Sequence, residues 1–138
     1  MSSLFVDTSG WASLFVANQP YYPQAEQYFC LAFQEQKRIY TTNYIIAELV
    51  ALVNSPLRVS RSRIFEIIDA IKTATYIEIV HIDDVTDTLA WTLCKSRIDK
   101  AWSLVDCTSF IVMQQMEIQE ALTTDQHFEQ AGFIRLLK

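Results

Sequence analysis

The chain alternates between short apolar runs and stretches in which apolar residues recur every three or four positions. The short runs predict β-strands, at 3–7, 39–42, 76–80, 120–124 and 133–137. The wider spacing predicts helices, at 11–15, 25–36, 43–53, 60–71, 83–97, 103–116 and 127–131. Because strands and helices alternate, we expect the α/β class, with a mostly parallel sheet that is covered on both faces.

The length and the net charge of the chain limit its possible domain organisation and substrates. The 138 residues, of which 51% are hydrophobic and 20% charged, can bury one core but are too few for two ordinary domains. We therefore expect a single domain over 1–138. The formal net charge of -5 has the wrong sign for a protein that holds nucleic acid by overall charge. A nucleic-acid substrate would require local positive charge or a bound metal.

Several common kinds of site lack the residues that they need. The two glycines, Gly10 and Gly132, are too far apart for a Walker A loop or a dinucleotide-binding G-x-G-x-x-G turn. The two histidines, His81 and His127, lack zinc-motif spacing, and the sequence contains no G-x-S-x-G elbow. Three cysteines without a C-x-x-C pair favour reduced thiols. Without a membrane-length apolar stretch, the chain is expected to be cytoplasmic.

Four acidic residues fall where a parallel sheet gathers its ligands. Asp7 ends the first predicted strand and Asp125 the fourth, while Asp106 lies in the first turn of a helix. Ligands bind beyond the carboxyl ends of parallel strands, so these side chains are expected to meet. Glu48 lies in a helix so apolar that we expect its carboxylate to be buried, which is costly without a partner. Oxygen ligands alone indicate Mg²⁺ or Mn²⁺ rather than zinc.

Each acid also has a purely structural interpretation. Asp7 and Asp125 could cap the helices that follow them, and Asp106 could compensate its helix dipole. Glu48 could pair with a buried arginine or lysine. The residues alone leave these alternatives open.

Four motifs in order carry a resemblance to a known family, and they are Phe5-Val6-Asp7-Thr8-Ser9, Ala47-Glu48-Leu49, the segment from Trp102 to Phe110, and the segment from Leu122 to Phe128. Their order and spacing resemble the PIN-domain nucleases, in particular the VapC-type toxins of bacterial toxin–antitoxin modules. The resemblance covers essentially the whole chain.

This resemblance implies a three-layer α/β/α fold and cleavage of RNA with Mg²⁺ or Mn²⁺. It implies that Asp7, Glu48 and Asp106 are the central metal ligands. Asp125 is then the fourth acid, which binds the metal directly or through water, and Ser9 supports the site by hydrogen bonding. It further implies a homodimer and a cognate antitoxin that keeps the toxin inactive. One departure stands out, because Val105 replaces a hydroxyl residue that often precedes the third acid in this family.

Basic residues are concentrated in the middle of the chain. Seven of the eleven lie between 58 and 100, namely Arg58, Arg61, Arg63, Lys72, Lys95, Arg97 and Lys100. They could line a path for an RNA backbone, or they could be solvated residues on helix surfaces. No residue pattern in the sequence indicates recognition of the ribose 2′-hydroxyl group, which distinguishes RNA from DNA. A metal-dependent phosphatase, a DNA nuclease and a PIN-like interaction module without turnover therefore remain alternatives.

Overall fold

A computed structural model describes residues 2–138, in which strands and helices alternate as the hydrophobic pattern predicts. The strands are β1 (Ser3–Val6), β2 (Arg38–Thr42), β3 (Ile77–Val80), β4 (Glu120–Leu122) and β5 (Ile134–Arg135). The helices are α1 (Thr8–Phe15), α2 (Tyr22–Gln34), α3 (Asn43–Asn54), α4 (Arg61–Thr73), α5 (Asp84–Ser96), α6 (Leu104–Gln115) and α7 (Gln126–Gln130). Within the described residues, no helix is long and apolar enough to cross a membrane.

β1 lies at the centre of a five-stranded sheet with the order β3-β2-β1-β4-β5. Every pairing in this sheet is parallel. The chain runs outwards from β1 to β3 and then returns to the other side of β1 to form β4 and β5. Since crossovers between parallel strands are right-handed, α1–α4 cover one face and α5–α7 cover the other. The predicted α/β class, with a parallel sheet between two layers of helices, is confirmed.

The strands near the carboxyl terminus are shorter than the sequence predicts. β4 ends at Leu122 rather than at 124, because the Thr123 hydroxyl bonds to Asp7 and accepts the Asp125 backbone N–H. β5 has two residues instead of five. The chain nevertheless continues beside β4, since the backbone N–H of Leu137 donates to the Thr123 carbonyl oxygen at 3.1 Å. The apolar runs therefore overstate the length of both strands.

Close contact between α1 and β4 requires a glycine at position 10. A Cβ atom added at Gly10 would lie 2.0 Å from the Leu122 carbonyl oxygen, which belongs to the backbone and cannot swing aside. Next to it, the Trp11 side chain is fully buried, and its indole N–H donates to the Thr41 hydroxyl at 3.1 Å. The helix that follows Asp7 is thus held tightly against the strand that precedes Asp125.

Candidate active site

The candidate site lies where the strand order reverses, between β1 and β4. At such a switch point the chain leaves the two strands in opposite directions, which opens a crevice beyond their carboxyl ends. Asp7 directly follows β1, and Thr123 and Asp125 follow β4. The fold therefore places one predicted acid, Asp7, on one side of this crevice and another, Asp125, on the opposite side.

The Asp7 carboxylate is buried and held by three donors. Oδ1 accepts from the Ser9 hydroxyl at 2.8 Å and from the Gly10 backbone N–H at 2.9 Å, and Oδ2 accepts from the Thr123 hydroxyl at 2.7 Å. Burial raises the pKa of Asp7 from 3.8 to about 7, and the negative charge of Asp125 adds to the shift, although the three hydrogen bonds oppose it. Ser9 thus makes the hydrogen bond that the family resemblance implies.

Asp106, Asp125 and His127 form the tightest group of possible metal ligands in the described part of the chain. One ligand atom from each lies within 4.8 Å of those of the other two. His127 Nδ1 is 3.0 Å from Asp106 Oδ2 and 3.3 Å from Asp125 Oδ1. Asp7 is connected to this group through Thr123, whose hydroxyl oxygen accepts the Asp125 backbone N–H at 3.0 Å. A chain of contacts therefore runs from β1 through the end of β4 to the start of α6.

Glu48 is not buried, so the expectation of a buried carboxylate on α3 is wrong. The helix packs one face on the core, where Ile45, Ile46, Leu49 and Val53 are buried. The opposite face is exposed although most of its residues are apolar, and Glu48 lies there beside Ala47, Val50 and Ala51. The helix is apolar all round, but a sheet can cover only one of its faces.

A hydroxyl group connects Glu48 to the rest of the candidate site. Thr8, the neighbour of Asp7, donates a hydrogen bond from its hydroxyl to Glu48 Oε1. Pairing with a buried arginine or lysine was the structural alternative for Glu48. Within residues 2–138 no ion pair involves this carboxylate.

The three aspartates do act as helix caps. Asp7 caps α1 through Gly10, and Asp125 caps α7 by accepting the His127 backbone N–H at 2.9 Å. Asp106 completes a capping box, in which Oδ2 accepts the Ser103 backbone N–H at 3.1 Å and the Ser103 hydroxyl accepts the Asp106 backbone N–H at 3.0 Å. The structural interpretations hold for these residues, yet they do not compete with a shared site, because each cap lies at the same edge of the sheet.

The donor set fits a divalent cation. Among the ion pairs of the described residues, no lysine or arginine lies on any of the four acids. In the part of the chain that the structure describes, the only side-chain nitrogen atom on these carboxylates is His127 Nδ1, so they gather negative charge that no lysine or arginine balances. Carboxylate oxygens are the ligands that Mg²⁺ and Mn²⁺ prefer, and an ion would balance the charge.

Sequence reasoning missed Thr123 and His127. Both lie two residues from Asp125, and a search for the polar neighbours of a strand-end acid would have found them. In the sequence, His127 suggests a ligand only through zinc motifs, and His81, the other histidine, is too far away to complete one. The contact of His127 with Asp106 joins residues that are 21 positions apart and so leaves no local pattern.

The basic residues of the predicted RNA path lie in two groups, apart from Arg58. The first is on α4, where the Arg61 guanidinium lies 5.1 Å from the centre of the Phe65 ring and Arg63 pairs with Glu66. The second comprises Lys95, Arg97 and Lys100, which lie at and after the end of α5.

This second group lies next to the start of α6. Arg97 forms two bonds to Asp99, at 3.1 and 3.2 Å, and its guanidinium lies 5.0 Å from the centre of the Trp102 ring. Trp102 directly precedes Ser103, which caps the helix that carries Asp106. The second group is therefore close in sequence to Asp106, a predicted metal ligand. Contacts with Asp99 and Trp102 hold Arg97 in place without bound nucleic acid.

Comparison with known proteins gives consistent matches along nearly the whole chain. A family model for the PIN domain matches residues 4–134. The 23S rRNA-specific endonuclease VapC20 of Mycobacterium tuberculosis, in strains CDC 1551 and H37Rv, is 29% identical over 133 residues, which cover 96% of this chain and 97% of the relative.

Solved structures agree with the match in sequence. The crystal structure of Mycobacterium tuberculosis VapC20, a sarcin–ricin loop cleaving toxin, superimposes with a TM-score of 0.85 at 28% identity, over 99% of this chain and 100% of that one. FitAcB from Neisseria gonorrhoeae superimposes with a TM-score of 0.65 at 15% identity, over 98% of this chain and 96% of that one. The second likeness concerns the fold alone.

Proposed function

The chain belongs to the PIN domain family, and from this premise we propose that it is a metal-dependent endoribonuclease, the toxin of a toxin–antitoxin pair. The observation that carries the proposal is the chain of contacts from Asp7 through Thr123 and Asp125 to His127 and Asp106. It gathers carboxylates without a lysine or arginine at the switch point of the sheet. The VapC20 relatives, described as 23S rRNA-specific endonucleases, make 23S rRNA the first substrate to test.

In this proposal Asp7, Glu48, Asp106 and Asp125 hold Mg²⁺ or Mn²⁺, and residues 1–138 act as one catalytic domain. A bound ion of this kind polarises a phosphoryl oxygen, lowers the pKa of water and stabilises the leaving oxygen. The protein supplies the positions of the ligands. Ser9 and Thr123 fix the two oxygens of Asp7, and Ser103 fixes Asp106 by the capping box.

In this proposal, the burial of Asp7 excludes water from one side of the bound ion. The residue Asp7 is only 7% exposed, so an ion that binds its carboxylate is in contact with protein rather than with water on that side. Thr8 aligns Glu48 by a hydrogen bond from the residue next to Asp7. Val105 carries no hydroxyl, but the Thr108 hydroxyl donates to its carbonyl oxygen at 2.7 Å.

We propose that the RNA backbone follows basic residues from both groups and from the segment before α4, and they are Arg58, Arg61, Arg63, Lys95, Arg97 and Lys100. Local positive charge is needed because the net charge of -5 repels phosphates. Arg97 and Lys100 belong to the loop between α5 and α6, so in sequence they are the members of this set nearest to Asp106.

The partners and the location of the protein follow from the family. We propose a cognate antitoxin, a homodimer, and action in the cytoplasm, where the RNA substrate is found. Exposed apolar residues such as Val50 and Phe65 provide surface that a second chain could bury. Light scattering of the purified protein, with and without the co-expressed neighbouring gene product, tests both assemblies.

The test of the function is cleavage of a 23S rRNA fragment by the purified protein. We expect cleavage with Mg²⁺ or Mn²⁺, none with EDTA, and none from Asp7→Asn or Asp106→Asn. The matched control is Asp69→Asn, which removes an exposed carboxylate from the middle of α4 and should leave the rate unchanged. Equal cleavage of the corresponding DNA would indicate a general nuclease. Full activity of Asp7→Asn would refute the assignment of the site.

A further inference from the structure

His127 brings a side-chain nitrogen atom into a site that the sequence predicts to consist of four carboxylates. It lies in the first turn of α7, and its backbone N–H donates to Asp125 Oδ1 at 2.9 Å, which fixes the residue beside that acid. Its side chain then turns towards α6, so that Nδ1 lies 3.0 Å from Asp106 Oδ2 and 3.3 Å from Asp125 Oδ1. One ring nitrogen thus faces a carboxylate from each of two elements.

We infer that His127 Nδ1 is a ligand of the divalent ion, together with Asp106 and Asp125, and that it makes the site prefer Mn²⁺ to Mg²⁺. The inference rests on the proposed function, since it concerns the same ion. It adds a ligand of a different chemical kind and predicts which ion the site selects.

The distances suit shared coordination. Neighbouring ligands of an octahedral ion with bonds of about 2.1 Å are about 3.0 Å apart, and the two contacts of Nδ1 are 3.0 and 3.3 Å. Around an ion that all three side chains bind, Nδ1 would be the neighbour of one oxygen from each aspartate, which is the arrangement that these two contacts show. A neutral imidazole can carry its proton on Nε2 and leave Nδ1 free to bind a metal.

The solvent exposure and the charge of these three side chains also favour binding of a shared ion. The side chains of Asp106, His127 and Asp125 are 16%, 23% and 32% exposed, so an ion can reach them from solvent. Within the described residues no lysine or arginine lies on either aspartate. The group therefore has two negative oxygens and one nitrogen around an opening, without a side-chain cation to neutralise them.

A nitrogen ligand changes the choice of metal. Mg²⁺ binds oxygen almost exclusively and gives up water reluctantly, whereas first-row transition ions accept imidazole readily. A site of carboxylates alone would bind both ions through similar contacts. With His127 in the ligand set, the Mn²⁺ complex gains a bond that the Mg²⁺ complex does not gain.

The deciding variant is His127→Asn, because an asparagine side-chain amide can place a donor N–H near the position of Nδ1. It preserves a hydrogen bond to Asp106 but offers no nitrogen lone pair to a metal. The matched control is His81→Asn, which changes the other histidine of the chain, an exposed residue on the loop after β3. All metal binding is measured without RNA, so the result does not depend on whether the protein cleaves it.

Two measurements test the inference. Calorimetric titration should show that His127→Asn weakens Mn²⁺ binding about tenfold or more, changes Mg²⁺ binding much less, and so lowers the ratio of the two affinities. His81→Asn should leave that ratio unchanged. Pulsed electron paramagnetic resonance of the Mn²⁺-loaded protein should show coupling to an imidazole nitrogen, which is lost in His127→Asn and kept in His81→Asn.

The outcomes separate this inference from the proposed function. Absence of nitrogen coupling in the original protein with Mn²⁺ bound would overturn the inference and leave the four-acid nuclease intact. An equal loss of Mn²⁺ and Mg²⁺ affinity in His127→Asn would also overturn it, because the imidazole would then only orient Asp106. Failure of the proposed function would instead appear as absence of RNA cleavage while Mn²⁺ still binds.

Discussion

Replacing Asp7 by asparagine should change how the stability of the metal-free protein depends on pH. The Asp7 carboxyl group is buried, and this burial raises its pKa from 3.8 to about 7. The asparagine amide oxygen can still accept from Ser9 and from the Gly10 backbone N–H, and its NH₂ group can donate to the Thr123 hydroxyl oxygen. The variant therefore keeps the shape and most of the contacts of the site while it removes the ionisable group.

The sign and the size of the effect follow from the pKa. A carboxyl group with a raised folded-state pKa stabilises the fold while it is protonated, so its contribution is complete below about pH 4 and is lost as the pH rises to about 7. Each pKa unit corresponds to about 1.4 kcal/mol, so the contribution lost over this window is about 4 kcal/mol. Relative to the original protein, Asp7→Asn should become more stable by about that amount between pH 4 and pH 7.

The assay is urea denaturation in EDTA at a series of pH values between about pH 4 and pH 8. A matched control is Asp83→Asn, since Asp83 also caps a helix and accepts the Thr86 backbone N–H at 2.8 Å. This hydrogen bond lowers the pKa of the exposed Asp83 carboxyl group. Its stabilising effect is therefore complete above its unfolded pKa of 3.8 and is lost only as the pH falls below that value, so the control should show an almost constant stability difference across the assayed range.

Two results would refute this reasoning. A stability difference between Asp7→Asn and the original protein that stays constant across the pH range would mean that burial does not penalise the Asp7 charge. Equal trends in Asp7→Asn and Asp83→Asn would mean that the effect belongs to helix caps in general. Addition of Mn²⁺ at neutral pH gives a second check, because it should raise the melting temperature of the original protein more than that of Asp7→Asn.

Three further changes have specific expected outcomes. Gly10→Ala should lower the free energy of unfolding by about 1–3 kcal/mol or more, measured in urea, because its Cβ would lie 2.0 Å from the Leu122 carbonyl oxygen; an unchanged midpoint would contradict the close contact of α1 and β4. Thr8→Val should slow metal-dependent RNA cleavage with a stability cost of about 1 kcal/mol, because Glu48 loses its hydroxyl donor, and an unchanged rate would exclude a role for this bond. Lys95→Ala should reduce the slope of RNA affinity against salt concentration by about one ion, and an unchanged slope would place the RNA path elsewhere.

The sequence predicts most of this architecture because its signals are local. Strand and helix periodicity identify the parallel sheet, and the rule that ligands bind at the carboxyl ends of parallel strands places Asp7 and Asp125 at one edge. The burial of Glu48 was predicted wrongly because hydrophobicity shows what a helix face could bury and not which face meets a neighbour. The contact of His127 with Asp106 depends on how α6 and α7 pack, so no spacing in the sequence reports it.

A ribosome that makes this chain delivers Asp7 long before Thr123, which lies 116 residues later and supplies the hydroxyl group on Asp7 Oδ2. Until β4 emerges, one side of β1 has no strand to pair with, and Asp106 and Asp125 have no place beside Asp7. Domains gain their long-range contacts only when the late segments are available. The growing chain thus carries its first carboxylate without a complete centre, and the proposed nuclease cannot cleave RNA before the segment with Thr123 and Asp125 has been made.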